Sequence, residues 1–254
     1  MPNLKIGAQT IVWGEEIRSG MDGILAFLAN EGYAGVETGM RHFDAANPDG
    51  YRALYAHHAL TPLAVHIGGK FWDPVQAAAE KAAMDGAREF AAAVGFRYLV
   101  SSGDPAATPA TMDAAAMEYE AFGARCRQSG VRFAYHNHDW ELRDDCAVLE
   151  RLVCGSSAQN VGLVLDVAWA HRAGVDLDRL FERFGERIAY VHVKDCAGTA
   201  FCELGTGEID HARVLELAVR YDIEWIVVEQ DTTTLAPEQS MRLNRTFLRE
   251  LGVD

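Results

Sequence analysis

Residues 161–195 read VGLVLDVAWAHRAGVDLDRLFERFGERIAYVHVKD, and this stretch contains one complete repeat of the pattern that predicts the fold. Two apolar runs, at 161–166 and 188–195, enclose a helix pattern at 176–185. Both runs are too short for typical helices and are apolar on both faces, as strands of a helix-covered parallel sheet are. The stretch therefore predicts a strand, a crossover helix and a second strand parallel to the first.

The same unit recurs along the whole chain. The sequence contains eight short apolar runs, at residues 4–9, 34–38, 61–68, 96–103, 131–138, 161–166, 188–195 and 224–231. Their starts lie roughly 27 to 36 residues apart, about the length of one strand and one crossover helix. Because no long linker rich in Pro, Gly or Ser divides them, we predict one domain over residues 1–254, a (β/α)8 TIM barrel. A doubly wound open sheet is the structural alternative, but no G-x-G-x-x-G motif follows the first run.

The composition narrows the class of partner. The 37 acidic and 23 basic residues give a formal net charge of −14, which would repel phosphate backbones unless the basic residues clustered on one face. The sequence has no such cluster, so we expect no nucleic-acid partner. The five cysteines form no C-x-x-C pair, and no run of about eighteen apolar residues occurs. We therefore expect a cytoplasmic protein without disulfides or membrane segments.

Polar residues end most of the apolar runs, where the active site of a TIM barrel forms. They are Glu37, His66, Asp104, His136, His138, Asp166, His192, Lys194, Asp195, Glu229 and Asp231. Carboxylates and imidazoles are ligand types that Mn²⁺, Co²⁺, Zn²⁺ and Mg²⁺ accept. Acids buried together need an opposing charge. A bound cation is one solution, and ion pairs with Lys70, Arg172 or Lys194, or exposure to water, are the others.

Four tryptophans also follow predicted strands: Trp13, Trp72, Trp140 and Trp169. An indole in this position could stack on the apolar face of a sugar or fill the barrel mouth. Few basic residues cluster near the mouth, so we expect an unphosphorylated sugar or inositol derivative as the substrate. We assign substrate binding to Trp13, Glu37, His136, Trp169 and Lys194.

Five motifs in strand order together resemble the xylose-isomerase-like barrel superfamily of sugar epimerases and isomerases, especially its inosose dehydratase branch. They are YHNHDWEL (135–142), LDVAWAHRAG (165–174), YVHVKD (190–195), ELGTGEID (203–210) and VVEQD (227–231). The resemblance covers essentially the whole chain. It implies one divalent ion, held by a Glu of strand five, an Asp of strand six, a His of strand seven and a Glu of strand eight. The last three positions match Asp166, His192 and Glu229.

The strand-five position departs from the family pattern, because His136 stands where many relatives carry glutamate. Two residues could be the fourth metal ligand: the imidazole of His136 binds the ion, or Glu141, a few residues later, supplies the carboxylate. We favour Glu141 as the fourth metal ligand, because it keeps three carboxylates and one histidine. The departure disfavours simple epimerisation, for which relatives use matched glutamates from strands five and eight. Trp169 is a second departure, since relatives often place a histidine there.

The residues and the resemblance predict a sugar isomerase or epimerase, or a keto-inositol dehydratase. One divalent ion, manganese by preference and otherwise cobalt, zinc or magnesium, would acidify a C–H beside a carbonyl and favour an enediolate intermediate. We assign His138, or a glutamate ligand such as Glu141 or Glu229, as the base. His66 is the candidate acid that helps to expel a hydroxyl in a dehydration.

Two other classes of function are open. A non-catalytic sugar-binding barrel or subunit would keep the fold without activity. A relative of the metal-dependent endonucleases that act at abasic DNA sites is less favoured, because those enzymes use several metals and a basic groove. A homo-oligomer is compatible with the sequence, but no residue pattern identifies an interface.

Overall fold

The computed structural model describes residues 4–68, 76–105 and 108–253, and these form a (β/α)8 TIM barrel. Eight parallel strands close the barrel: β1 (Lys5–Gln9), β2 (Gly35–Gly39), β3 (Thr61–Gly68), β4 (Tyr98–Ser102), β5 (Arg132–His136), β6 (Gly162–Asp166), β7 (Ile188–Val193) and β10 (Trp225–Val228). The ring closes because β1 pairs with both β2 and β10. The predicted fold class and all eight predicted strands are confirmed, with shorter bounds at several ends.

Nine α-helices lie within the described ranges: α1 (Glu16–Asn30), α2 (Pro48–His57), α3 (Ala77–Val94), α4 (Pro109–Gln128), α5 (Arg143–Cys154), α6 (Val167–Arg172), α7 (Leu177–Phe184), α8 (His211–Arg220) and α9 (Pro237–Glu250). A short antiparallel hairpin, β8 (Asp195–Ala197) and β9 (Ala200–Cys202), follows β7. The sequence pattern missed α5, α6 and this hairpin. None of the helices described is both long and apolar enough to cross a membrane.

Local sequence signals set several helix ends. The side chains of Thr108, Asp176 and Asp210 each accept a hydrogen bond from the backbone N–H three residues later, at the starts of α4, α7 and α8. At the other end of α3, Gly95 has a φ of 94°, which glycine adopts without the strain that a side chain would add. These signals fix where α4, α7 and α8 begin and where α3 ends.

Alternation along the strands puts one set of side chains inside the barrel. A separate cluster of buried residues lies there: Leu63, Ala64, Tyr98, Val100, Ala134, Val164, Ala189, Tyr190, Trp225 and Val227. Side chains two positions apart on a strand share a face. The polar residues two positions after Ala134, Val164, Tyr190 and Val227 therefore also face inward, and they are His136, Asp166, His192 and Glu229.

Asp195 fixes the loop between the hairpin and α8. It is fully buried, and its carboxylate accepts hydrogen bonds of 2.9 to 3.2 Å from the backbone N–H groups of Cys196, Gly205, Gly207 and Ile209. Burial alone would raise the pKa of Asp195, but His211 and the backbone donors lower it to about 2. The ionised carboxylate thus stabilises the folded state.

We expect Asp195→Asn to lower the free energy of unfolding by about 2 to 3 kcal/mol at pH 7, because the neutral amide pairs these donors poorly. The folded-state pKa lies below the unfolded value, so the contribution is present above about pH 4 and is lost as the pH falls through about 2. Urea unfolding at pH 7 and pH 3 measures both effects. The control is Asp210→Asn, which affects one cap hydrogen bond. Equal stability of the two variants at pH 7 would contradict this role.

Candidate functional site

Four buried side chains from β5, β6, β7 and the end of β10 converge at the carboxyl-terminal mouth of the barrel. They are His136, Asp166, His192 and Glu229, and one ligand atom of each lies within 4.8 Å of the others. The register of the sheet contributes, since Asp166 pairs directly with His192 across β6 and β7. Three of the four are metal ligands that the sequence predicts.

The atoms of His136 fit a cation. Both ring nitrogens are buried, and neither hydrogen-bonds to a described residue. Nε2 lies 3.5 Å from Asp166 Oδ2 and 3.7 Å from Glu229 Oε2. Two ligand atoms of a tetrahedral ion with bonds of about 2.1 Å are separated by about 3.4 Å, which is close to these spacings. An ion among these atoms would supply the partner that the His136 ring lacks.

Lys194 places a positive charge beside the same carboxylates. Its Nζ is buried and lies 3.1 Å from Asp166 Oδ2, 2.9 Å from Glu229 Oε2 and 2.5 Å from Asp231 Oδ2. Burial alone would lower the pKa of Lys194, but these carboxylates raise it above its usual range. The ammonium therefore stays charged and offsets one of three negative charges. The sequence assigns Lys194 to substrate binding, whereas the structure places it against the candidate metal ligands.

Glu37 orients His192. The fully buried carboxylate accepts a hydrogen bond from Tyr190 Oη at 2.5 Å and lies 2.9 Å from His192 Nε2 and 3.3 Å from His66 Nδ1. Nδ1 lies 2.8 Å from Glu229 Oε2, so the protonated ring donates to both carboxylates. An ion held by Nδ1 would replace the proton there, while Nε2–H would stay on Glu37. Histidines that bind metals usually donate their other N–H to such a carboxylate. The structure thus places Glu37 against His192 and His66. The sequence instead assigns Glu37 to substrate binding.

The charges around His192 favour a cation. Burial alone would lower its pKa, but the carboxylates of Glu37 and Glu229 raise it to about 10. Burial alone would likewise raise the pKa of Glu37, but His192 and His66 hold it well below its usual range. Glu37 is therefore ionised, and the negative potential at this end of the barrel stabilises positive charge.

We expect Glu37→Gln to weaken the binding of Mn²⁺ or Zn²⁺ by about 10- to 100-fold, because the amide no longer fixes the tautomer and orientation of His192. Competition with a chelating dye measures this affinity. The matched control is Glu120→Gln on α4, whose carboxylate accepts hydrogen bonds from Ser157 and Asn160 away from the four residues. An unchanged affinity in Glu37→Gln would contradict this role.

Glu141, the predicted fourth ligand, lies outside the group of four. Its Oε1 accepts a hydrogen bond from Tyr135 Oη at 2.7 Å, and its Oε2 accepts one from the backbone N–H of His138 at 2.8 Å. Tyr135 precedes His136 directly, so its side chain points to the opposite face of β5. The hydrogen bond to Tyr135 therefore holds Glu141 on the outer face. The structure brings His136, the alternative fourth ligand, into the group.

A cavity of about 280 Å³ opens at this mouth. Five residues that the sequence assigns to catalysis or binding line it, namely His66, His136, His138, Trp169 and Glu229. Its size is near the lower end for ligand sites, which suits a small substrate.

The predicted aromatic residues separate into two groups. Trp169 lines the cavity, and Trp140 stacks on His138 with ring centroids 4.0 Å apart and planes 13° apart. Trp13 lies outside the cavity lining: its ring is buried, and its Nε1 donates to Glu238 at 3.1 Å. Trp72 falls outside the described residues. Trp13 therefore packs between α1 and α9. The sequence instead assigns it to substrate binding.

Sequence reasoning missed several lining residues. Gln9 and Ser102 end β1 and β4, and Arg41 and His42 follow β2. The sequence could have identified these residues, because they lie at or just after strand ends, as the predicted site residues do. The expectation of few basic residues at the mouth is incomplete, since Arg41 is a charged residue of the cavity wall.

The fold has counterparts in known proteins. Residues 25–251 match the model of the Xylose isomerase-like TIM barrel family. The chain belongs to this family. The resemblance that the sequence motifs indicate is therefore confirmed for nearly the whole chain.

One relative in this family is named inosose dehydratase, from Geobacillus kaustophilus (strain HTA426). It is 23% identical over 292 residues, which cover 97% of this chain and 94% of the relative. Two similar solved structures have TM-scores of 0.84 and 0.80. The first is a sugar phosphate isomerase/epimerase from Parabacteroides distasonis ATCC 8503, 18% identical, with 98% of this chain and 94% of that chain covered. The second is the IOLI protein with a zinc atom, 17% identical, with 98% of both chains covered.

Proposed function

We propose that the chain is a divalent-metal-dependent enzyme that removes a proton beside the carbonyl of a keto-sugar or keto-inositol. The observation that carries the proposal is the convergence of His136, Asp166, His192 and Glu229 at a cavity. Relatives named for sugar isomerisation and inosose dehydration support it, as does the zinc atom of one similar structure. Two imidazoles and two carboxylates suit manganese, cobalt and zinc better than magnesium.

These four residues would hold the ion. When bound, a divalent ion polarises a ketone oxygen and the neighbouring hydroxyl, which acidifies the C–H of the hydroxyl-bearing carbon. The protein must then supply a base near that carbon and exclude competing water. The buried floor of the cavity excludes competing water, because the four residues are nearly inaccessible to solvent.

His138 is the base that we propose. Its ring lines the cavity, and its Nδ1 is buried without a hydrogen bond to a described residue. Burial lowers the pKa of His138, an effect that Glu141 only partly opposes, so the imidazole is neutral at pH 7 and can accept a proton. Glu141 and Trp140 position this base, the first through the backbone N–H and the second by stacking. Glu229, which also lines the cavity, is the alternative base.

His66 is the proton donor that we propose for the second half of the reaction. It lines the cavity, and its ring nitrogens lie 3.3 Å from Glu37 Oε1 and 3.2 Å from Ser102 Oγ. A proton delivered to a β-hydroxyl expels water and gives dehydration. A proton delivered to the former carbonyl carbon gives isomerisation, and a proton returned to the opposite face of the original carbon gives epimerisation. All of these outcomes share the first proton removal.

We expect His136→Ala to weaken metal binding by at least about 100-fold and Glu141→Gln to change it by less than about threefold, because ligands should cost more than the partners that orient them. His136→Glu, which restores the pattern of many relatives, should keep the metal. Elemental analysis after dialysis, together with dye competition, compares the three variants. Loss of metal from Glu141→Gln with retention in His136→Ala would reverse the assignment.

Proton exchange tests the proposed activity. The protein loaded with Mn²⁺ is incubated in D₂O with a panel of keto-inositols and ketohexoses, and NMR follows the C–H beside each carbonyl. Exchange with loss of water identifies a dehydratase, and exchange without it identifies an isomerase or epimerase. EDTA should abolish either signal. Silence across the panel would contradict the proposal and favour a sugar-binding barrel, while several zinc ions with affinity for abasic DNA would favour a nuclease.

A further inference from the structure

Arg41 and His42 form a part of the cavity wall to which the proposed reaction assigns no role. Both lie in the short turn Met40–His42 that follows β2, and both line the cavity together with Gly39. His136 and Glu229 line the same cavity. A substrate with its reacting carbonyl at the proposed metal site therefore shares this space with the turn after β2.

Arg41 presents its guanidinium to this wall. A Cβ added at Gly39 would lie 3.4 Å from Arg41 Nη1, so the guanidinium folds back over the end of β2. Its nearest carboxylate contact is a distance of 4.0 Å between Nε and Glu15 Oε1, and Glu15 also lies 3.8 Å from Arg18 Nε. Two guanidinium groups thus face one exposed carboxylate. Within the part of the chain that the structure describes, Glu15 is the carboxylate that contacts Arg41, and its N–H groups could bind a further anion.

His42 adds a buried polar atom to the same wall. The residue is only 5% exposed, and its Nδ1 hydrogen-bonds to no described residue. Burial and the nearby Arg41 lower the pKa of His42, so the ring is neutral at pH 7 and can donate one N–H. An unpaired buried nitrogen is unfavourable, and a hydrogen bond to a ligand oxygen would remove that cost.

We propose that the substrate carries an anionic group, a carboxylate or a phosphate, and that Arg41 and His42 bind it. This inference rests on the proposed function, because it places the reacting carbonyl beside His136 and Glu229. The guanidinium fork matches the two oxygens of either anion, and the neighbouring imidazole supplies a further donor. A cavity of about 280 Å³ suits a small polyol with one such group.

Matched pairs of ketoses test the inference. Calorimetric titration of the Mn²⁺-loaded protein compares L-sorbose with 5-keto-D-gluconate, which differ in one terminal carboxylate, and D-fructose with D-fructose 6-phosphate. The variants are Arg41→Met and the control Arg52→Met, whose guanidinium pairs with Asp49 on α2 outside the cavity lining. Glu15→Gln is a further variant, since it removes the carboxylate that competes for Arg41.

We expect the anionic member of at least one pair to bind at least about tenfold more tightly than its neutral partner, as a charge-assisted bidentate contact would give. Arg41→Met should weaken binding of the anionic member much more than binding of the neutral member and so remove most of that preference. Arg52→Met should preserve the preference, and Glu15→Gln should increase it. The pair that shows the preference identifies the anion as carboxylate or phosphate. Equal binding within both pairs would overturn the inference, as would a loss in Arg41→Met that affects both members equally.

The same samples in D₂O separate this inference from the proposed function. Proton exchange without an Arg41-dependent preference overturns the anion site alone. An Arg41-dependent preference without exchange supports the anion site and contradicts the proposed reaction.

Discussion

Asp166→Asn is expected to weaken Mn²⁺ binding by at least about 100-fold, because a ligand should cost more than the 10- to 100-fold typical of residues that orient ligands. Proton exchange should fall by about 1,000-fold or more at fixed metal concentration, since the acidifying charge is lost with the ion. The asparagine keeps an oxygen in place of Oδ1, which caps α6 by accepting from Ala168 N and Trp169 N at 2.9 Å. The variant therefore separates the proposed ligand role from the capping role.

A second capping aspartate provides the control. Asp176 accepts a hydrogen bond from Arg179 N at 2.9 Å at the start of α7, and it does not line the cavity. Asp176→Asn should leave both metal affinity and proton exchange unchanged. Dye competition and NMR in D₂O measure the two quantities for both variants. Wild-type metal affinity in Asp166→Asn would remove this residue from the metal site.

Lys194→Met is expected to lower the free energy of unfolding by about 3 to 5 kcal/mol in EDTA, because removal of one partner leaves buried carboxylates without their counter-charge. Asp166, Glu229 and Asp231 would then face each other around an uncharged side chain. Mn²⁺ should restore much of the lost stability, since the ion supplies positive charge to Asp166 and Glu229. Its affinity should also rise, because the repulsion between ammonium and ion disappears.

An exposed lysine pair serves as the control. Lys5 Nζ lies 2.7 Å from Glu224 Oε1, but the two side chains are 50% and 41% exposed. Lys5→Met should therefore cost less than about 1 kcal/mol and respond equally in EDTA and Mn²⁺. Urea unfolding in the two buffers compares the variants. A Lys194→Met protein as stable as Lys5→Met in EDTA would show that the buried ammonium does not balance these carboxylates.

The strands could be predicted because barrel strands are buried on both faces, which makes each a continuous apolar run such as VGLVLD. The start of α5 could not be predicted, since Asp144, Asp145 and Cys146 adopt positive φ values. The spacing of hydrophobic residues does not reveal such values. The hairpin β8–β9 was also missed. Each of its strands has only three residues, too few for an alternating pattern to stand out.

The inward positions of the candidate site were predictable from strand ends, because alternation gives Asp166, His192 and Glu229 the same orientation. The position of Glu141 outside this group could not be predicted, since it depends on the hydrogen bond from Tyr135 on the outer face of β5. The contact between Glu37 and His192 joins residues 155 positions apart, and only barrel closure brings them together. Pairings across the barrel set the roles of such residues, and no local motif shows them.

Crystallography with Mn²⁺ tests whether His136, Asp166, His192 and Glu229 bind a metal, because anomalous scattering locates the ion without reference to activity. We expect one strong peak within about 2.0 to 2.3 Å of a donor atom from each of His136, Asp166, His192 and Glu229. A peak bound by Glu141 without His136, or no peak at this mouth of the barrel in crystals soaked with saturating Mn²⁺, would contradict it.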